Sequence, residues 1–501
     1  MTVLGIDVGT SGSRALLLGA DGRIVAAASA PHAPFRSPRT GWAEQDPDDW
    51  WQASAAAARR ALAEGGVGGA DVQAIGLSGQ MHGSVLLDDR DRVVRPAIIW
   101  CDQRSEDECR WLDRTVGAAR IRALTSNPAL TNFTLTKLLW VRTHEAAAWS
   151  RVRHVLLPKD YVRFRLSGER AIDVADASGT LLLDVARRQW SADMLAATGL
   201  DEAILPRVFE SSEVCARVSP EGAEAFGVPA GTPIVAGAGD QAAGAIGMGI
   251  TQPGAVSATI GTSGVVFAAT DRPTTDPDGR LHTFCHIPAR WHVMGVTQAA
   301  GLSLGWMRDL VAAGGSSYDE LTADAAVVPP GADGVLWAPY LMGERTPYCD
   351  PAIRGALVGL AASHGRGHVV RAVMEGVAFS LRDSLTIFME LGVPVERIVL
   401  GGGGAASPLW RQIQADVYGR EVETVAADEG AAHGAAILAG VGARLWPSVD
   451  EACRAVVRRA AVTAPHAEAV AVMNERYAAY RRLYPALRSI ERPAAHREAY
   501  V

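Results

Sequence analysis

Gly-Thr-Ser-Gly is written twice in this 501-residue chain, at Gly9–Gly12 and at Gly261–Gly264. Each copy lies between two short runs of β-branched or apolar residues. Val3–Ile6 and Ser13–Leu18 flank the first, Ala255–Ile260 and Val265–Ala269 the second. A strand–turn–strand unit repeated half a chain apart predicts two related domains that face one another. The length agrees, since 501 residues exceed what one core serves.

The pattern between the turns is α/β. After the first hairpin, Ala20-Asp21-Gly22 is a turn and Ile24–Ala28 a third strand. Asp46-Pro47-Asp48-Asp49 is a helix start, with an Asp cap, a Pro at the first position and acids in the first turn; the helix is expected over Pro47–Glu64. Val72–Ser78 and Ala97–Trp100 are expected strands, and Leu124–Arg142 carries a helical pattern. Ile234–Ala236 leads to Asp240 and a small-residue helix, Gln241–Met248. Ile398–Leu400 ends in four glycines, Gly401–Gly404, followed by a helix over Pro408–Tyr418 and a small-residue helix over His433–Leu438. Tyr477, Tyr480 and Tyr484 with Leu483 mark a packed C-terminal helix. The domains are expected at 1–246 and 247–487, with a loose tail over 488–501, polar from Glu491 onward. No low-complexity linker separates the halves, which favours a cleft that closes over beads on a string.

Bulk properties narrow the partners. A net charge of −7 disfavours nucleic acid and anionic membrane, which both select a basic face. A nucleotide needs only a local cluster of donors. The six cysteines form no Cys-x-x-Cys pair, so neither a zinc site nor a disulfide scaffold is expected. They suit a reducing cytoplasm. No basic-then-apolar leader and no run of about 18 apolar residues appears, so neither a signal peptide nor a membrane span is expected.

Turns of glycine and small hydroxyl residues offer backbone N–H and hydroxyl donors to a phosphate, and glycine lets its oxygens come close. Asp7 stands beside the first turn, and Thr259 takes the matching place beside the second. One acid near phosphate suits Mg²⁺ held mostly through water. The Gly401 run fits neither a Rossmann fingerprint nor a P-loop, but it admits a flat adenine or ribose against the backbone. Asp240 reads two ways, as a helix N-cap or as a general base for a substrate hydroxyl. Ser78-Gly79-Gln80-Met81-His82-Gly83 follows a strand, where α/β ligand sites lie; His82 is a polyol contact or a packed loop histidine. Trp100 and Lys159-Asp160 lie near other predicted strand ends. Trp42, Trp50 and Trp51 are taken as packing.

With these pieces in order, the chain resembles the FGGY-type carbohydrate kinases of the actin and Hsp70-like ATPase superfamily. The resemblance rests on Gly5–Ser11, Trp42–Pro47, Gly79–Gly83 and Leu157–Tyr161 in the first half. In the second it rests on Gly239-Asp240, Gly261–Gly264, Gly343–Pro347, Arg371–Gly376 and the Gly401 run. Gln80-Met81-His82-Gly83 is most like the branch that acts on D-xylulose. The resemblance implies two ribonuclease H-like ATPase domains around a central cleft, each giving one phosphate hairpin to ATP. It implies Asp240 as catalytic base and Asp7 as the acid that organises Mg²⁺. Gln80, Met81, His82, Trp100, Lys159, Asp240 and Gln241 would meet the sugar. Thr10, Ser11, Gly261, Thr262, Ser263, Gly402 and Gly403 would meet ATP. Gln241 stands where many relatives have Asn, and Asn132 departs from a family signature. The expected reaction is transfer of the γ-phosphate of ATP to the C5 hydroxyl of D-xylulose, by a cytoplasmic protein that could pair as a homodimer. Another ketopentose, a pentitol or gluconate is the alternative substrate; a nucleotide-gated binding or chaperone-like ATPase is the alternative of another class.

Overall fold

The computed structural model describes residues 1–311, 315–426 and 429–490. Two seven-stranded sheets form its frame. The first holds β1 (Thr2–Val8), β2 (Gly12–Gly19), β3 (Ile24–Pro31), β4 (Val72–Gly79), β5 (Val214–Arg217) and β6 (Pro233–Val235), with the short β7 (Ala238–Gly239) also on β4. The second holds β8 (Gly254–Ile260), β9 (Gly264–Thr270), β10 (His282–Cys285), β11 (Trp291–Thr297), β12 (Val395–Gly402), β13 (Val422–Val425) and β14 (Arg459–Thr463).

Their strand order and strand directions are alike, although the antiparallel edge strand precedes its neighbour in the chain in the first sheet (β5 before β6) and follows it in the second (β14 after β13). The first runs β3-β2-β1-β4-β6-β5; the second runs β11-β9-β8-β12-β13-β14, with β10 added outside β11. In each, three antiparallel strands are followed by two parallel additions and an antiparallel edge. The β1–β2 and β8–β9 hairpins are therefore equivalents, and the two Gly-Thr-Ser-Gly turns close them at matching places.

Four helices position the site: α1 (Pro47–Gly65), α2 (Asp240–Gly247), α3 (Arg366–Glu390) and α4 (Gly430–Gly442). A parallel pair needs a crossover, and α1 and α3 supply it between β3 and β4 and between β11 and β12. The signals of α1 act as read. Asp46 accepts from the Asp48 N–H, Pro47 opens the helix, and Gly66 closes it in the left-handed region. Trp50, Ala53, Ala57, Ala58, Ala61 and Leu62 form its buried face.

The last helix of the set crosses over. By chain order α4 belongs to the second half, yet it packs on the first sheet. A Cβ on Gly5 of β1 would fall 2.1 Å from the Ala432 carbonyl, and one on Gly76 of β4 would fall 2.0 Å from that of Ala435. Ala242, Ala243 and Ile246 of α2 share one hydrophobic cluster with Ala432, Ala436, Ile437 and Leu438 of α4 and Val3, Leu16 and Ala74 beneath. The opposite side of α2 looks to the second sheet: Ala245, Met248 and Ile250 cluster with Val265, Phe267 and Val399.

Three expected elements differ. The pattern over Leu124–Arg142 is broken. Ser126, at φ 61°, closes the helix Ala118–Thr125, and the next helix begins at Thr134. Between them the buried Asn127 bridges to Thr283 in both directions, at 2.8 and 3.0 Å, which ties the first half to the second sheet's edge. Only Ala97–Ile98 of the strand expected to Trp100 joins a ladder. Tyr477 and Tyr480 end one helix, Ala467–Tyr480, while Leu483 and Tyr484 begin another, Leu483–Ser489, which extends past the expected start of the tail. Residues from Glu491 onward lie outside the described residues.

Where α2 and α4 cross, main chain meets main chain. A Cβ on Gly434 would sit 1.8 Å from the Ala243 carbonyl, whereas one on Gly244 would meet nothing within 4 Å. Gly434→Ala is expected to lower stability by about 1–3 kcal/mol through overpacking. Gly244→Ala is expected to raise it by up to ~1 kcal/mol, by helix propensity. Thermal unfolding of the two variants checks this. Shifts in the same direction would mean that backbone contact does not limit the crossing.

Candidate active site

Three strand ends converge. Asp7 of β1 lies opposite Ser78 of β4, and Ser78 and Gly79 lie opposite Ala238 and Gly239 of β7. Asp7, the loop from Gln80 and Asp240 thus leave one sheet edge side by side. Asp240 is the first residue of α2; the cap is Gly239, so the Asp240 carboxylate is not the N-cap. Burial, and then the like charge of Asp7, push it up to about 7, while contacts with Gln241 pull the other way. Burial likewise raises Asp7 to about 6, against the influence of the Ser78 hydroxyl and the charge of Arg14.

Both small-residue turns are held from behind by their carbonyls. In the first, the Gly9 carbonyl accepts from Gln80 Nε2 at 3.2 Å and the Thr10 carbonyl from Gln45 Nε2 at 2.7 Å. The Ser11 carbonyl accepts from the His32 N–H at 3.0 Å. In the second, the Gly261 carbonyl accepts from the Gly301 N–H at 2.8 Å, and that of Thr262 accepts from Ala300 and Leu302 at 3.0 and 3.2 Å. In a trans peptide the N–H lies opposite the carbonyl. The N–H groups of Thr10 and Ser11, and of Thr262 and Ser263, therefore point away from these anchors. That is an anion-binding arrangement.

The glycine run adjoins the second turn. Gly401 and Gly402 pair with Thr259 and Ile260 of β8. Gly402 has φ 70°, and a Cβ there would fall 2.5 Å from the Ile260 carbonyl, so the strand ends here with backbone on backbone. Gly403 opens the turn of helix that follows.

The loop after β4 holds Met81 and His82. Met81 lies against Gly239, where a Cβ would come 2.8 Å from its Cγ. His82 is held at φ 67°, a costly conformation for a non-glycine residue. Its carbonyl accepts from Thr134 Oγ1 and from the buried Lys137 Nζ, both at 3.1 Å. Its Nδ1 lies 2.7 Å from the Gly179 carbonyl, so Nδ1 carries the proton and Nε2 is left as an acceptor. Burial, with the Lys137 charge next, lowers its pKa to about 3, so the ring is neutral.

Not every expected contact gathers here. Lys159 has a side chain with 0% exposure, amid Asp160 and Asp173 at 2.6 Å and Asp176 at 3.1 Å. It is the cation of a closed ion cluster, with Arg163 also on Asp160; its ammonium does not reach the cleft. Burial works against its charge, and the three carboxylates outweigh that, so its pKa rises. Gln80 is 1% exposed and gives its amide to Gly9 and to Gln45. Trp100 directs its indole N–H to Thr10 Oγ1 at 2.9 Å. These two polar groups brace the first turn. Gln241 adjoins Asp240 and is half-buried.

Two site residues, Lys137 and Gly179, carried no sequence signal that singled them out. Lys137 and Gly179 fix His82, and a Cβ on Gly179 would lie 2.7 Å from the His82 ring. Glu344, raised to about 8 by burial, accepts from the Gln298 N–H at 2.9 Å and holds the end of β11. Asn132 accepts from Lys137 through its backbone carbonyl, so its side chain is not what the contact requires. As for a cation, Asp7 Oδ1 is buried without a hydrogen-bond partner, which fits a hydrated divalent ion beside phosphate.

Comparison with known proteins accords with this geometry. The model of the N-terminal domain of the FGGY family of carbohydrate kinases matches residues 2–247, and that of the C-terminal domain matches 256–443. The chain is 40% identical over 486 residues to "Xylulose kinase" of Escherichia coli K12, covering 97% of this chain and 99% of that one. It is 38% identical to "Xylulose kinase" of Bacillus subtilis, covering 96% of each. A crystal structure of a "xyloylose kinase" from Brucella ovis superposes with a TM-score of 0.90 at 38% identity, covering 98% of this chain and 100% of that one. The two like sheets are thus two actin/Hsp70-like domains around a cleft, and the chain belongs to the FGGY family of carbohydrate kinases.

Proposed function

We propose that this protein transfers the γ-phosphate of ATP to the C5 hydroxyl of D-xylulose, giving D-xylulose 5-phosphate and ADP. The observation that carries the reading is Asp240. It is a carboxylate not used as a cap, raised by burial to about 7, on the strand edge that also bears the first phosphate turn. A base near neutrality is well matched to a sugar hydroxyl. Xylulose kinases similar over nearly the whole chain support the choice of sugar.

The geometry supports the following roles. Asp240 takes the C5 hydroxyl proton as that oxygen attacks the γ-phosphorus, and the bond to the β-phosphate oxygen breaks, leaving ADP. Phosphoryl transfer asks mainly for alignment and charge stabilisation. Thr10 and Ser11 on one side, and Gly261, Thr262 and Ser263 on the other, direct donors at the phosphates. Gly402 and Gly403 take the adenosine against the backbone. Met81, the His82 Nε2 acceptor and Gln241 orient the sugar. Asp7 would hold Mg²⁺ through water; the ion, when bound, supplies charge neutralisation on the phosphates. ADP release measured with D-xylulose against equal concentrations of other ketoses, pentitols and gluconate tests the assignment. Faster turnover of another acceptor overturns it.

Two substitutions separate roles. Asp240→Asn should lower kcat by about 10²–10⁴-fold while a non-hydrolysable ATP analogue still binds. Near-normal turnover in the folded variant would sink the general-base role. His82→Ala should raise KM for D-xylulose roughly two- to tenfold, the worth of one hydrogen bond, with KM for ATP within about twofold. Equal losses for both substrates, or lost stability alone, would make His82 a packing residue.

A further inference from the structure

The two turns share one sequence but not one means of support. Behind the second turn stands the start of the helix Gly301–Val311, and backbone N–H groups of residues 300–302 hold its carbonyls. Such support is indifferent to side chains. Among the described residues no helix-start N–H is given to the Gly9 or Thr10 carbonyl of the first turn. Two glutamine side chains do that work: Gln45 on the Thr10 carbonyl at 2.7 Å and Gln80 on the Gly9 carbonyl at 3.2 Å. They are joined, with Gln80 Nε2 donating to Gln45 Oε1 at 2.9 Å. That same oxygen accepts from the indole of the fully buried Trp50 at 3.2 Å, which fixes the amide's orientation. The Gln45 amide therefore has its donor aimed at Thr10 and cannot flip without losing two acceptor bonds.

We infer that Gln45 is a positioning residue for ATP: with Gln80 it turns the peptide planes of the first hairpin so that N–H groups, and not carbonyl oxygens, meet the phosphates. Carbonyl oxygens facing a phosphate would repel it, so a turn free to rotate its peptides would bind anions poorly. Gln80 immediately precedes Met81 and His82, so the strut also ties the phosphate turn to the loop proposed for the sugar. Neither glutamine touches ATP in this scheme. The inference rests on the reading of the first turn as a phosphate site but not on which sugar is phosphorylated.

The test compares ligands with and without phosphate, in the full-length protein. Gln45→Met and Gln80→Met keep volume and lose the donor. Gln80→Met is the milder change, because Gln80 Oε1 already has no partner. By calorimetry each should weaken a non-hydrolysable ATP analogue about three- to tenfold while adenosine binds within about twofold of wild type. Unchanged affinity for the analogue in a folded variant overturns the inference. So does an equal loss for the analogue and for adenosine, which would signify general loosening. Should Gln45→Met fail to fold, Gln80→Met decides alone by the same comparison. A wild-type protein that binds the analogue yet phosphorylates no ketose would remove the proposed function and leave this comparison standing.

Discussion

The main-chain contact between α2 and α4 is the constraint on which the site depends. Asp240 opens α2, so the carboxylate proposed as the base goes where that helix goes. The contact of Gly434 with the Ala243 carbonyl fixes α2 against α4, and the contacts at Gly5 and Gly76 fix α4 on the sheet that carries Asp7 and the first turn. Small residues are required throughout, since any Cβ at these glycines would enter a backbone atom. Two helices that would read as unremarkable alanine–glycine segments thus set the place of the Asp240 carboxylate relative to the first small-residue turn. Because α2 also packs on the second sheet, the same crossing joins the two halves.

Electrostatics explains why this edge is a site and not merely a junction. Asp7 and Asp240 are like charges in a half-buried place; burial raises both, and the charge of Asp7 raises Asp240 further. A fold selected for stability alone has no use for that pair. The neighbouring ion cluster shows the contrast. There Lys159 and Arg163 answer Asp160, Asp173 and Asp176 within the protein, and all five side chains are sealed. At the strand ends Arg14 is the one cation that answers Asp7 among the described residues, and it is itself paired with Glu429 at the start of α4. Unanswered acid next to N–H-forward turns is what a polyphosphate with its cation, and a hydroxyl to be deprotonated, can use.

Much of this was legible in the sequence, for physical reasons that can be named. The turns announced themselves because glycine and small hydroxyl residues are needed in both. The helix at Pro47 was legible because Asp46, Pro47 and the first-turn acids act locally, and the hairpins because strand and turn are close in sequence. What failed was long-range. Lys159 looked like a site residue because it follows a strand end, but its partners Asp173 and Asp176 lie in another element. Gln80 and Trp100 looked like sugar contacts because they are polar and glycine-flanked or near a strand end; only the fold shows the carbonyl and hydroxyl of the first turn waiting for them. The helical pattern over Leu124–Arg142 misled because periodicity does not register that Asn127 is claimed by Thr283.

The repeat raises a last point about how two like domains come to do unlike things. Equivalent strands end in equivalent turns, yet Asp7 stands beside one and Thr259 beside the other. The supports differ in the same sense. The second turn leans on backbone, which any sequence supplies, and next to it the glycine run presents more backbone. The first leans on one backbone N–H, that of His32, and otherwise on Gln45, Gln80 and Trp100, which only particular residues supply, and beside it lie Asp7, Asp240, Met81 and His82. Backbone recognition suits a nucleotide, the same molecule in every turnover. Side-chain recognition suits an acceptor that must be told from similar sugars and from water. With the proposed roles of Asp240, Met81 and His82, the asymmetry between two copies of one fold would put specificity and proton transfer in the first half, with the second serving as the less discriminating jaw.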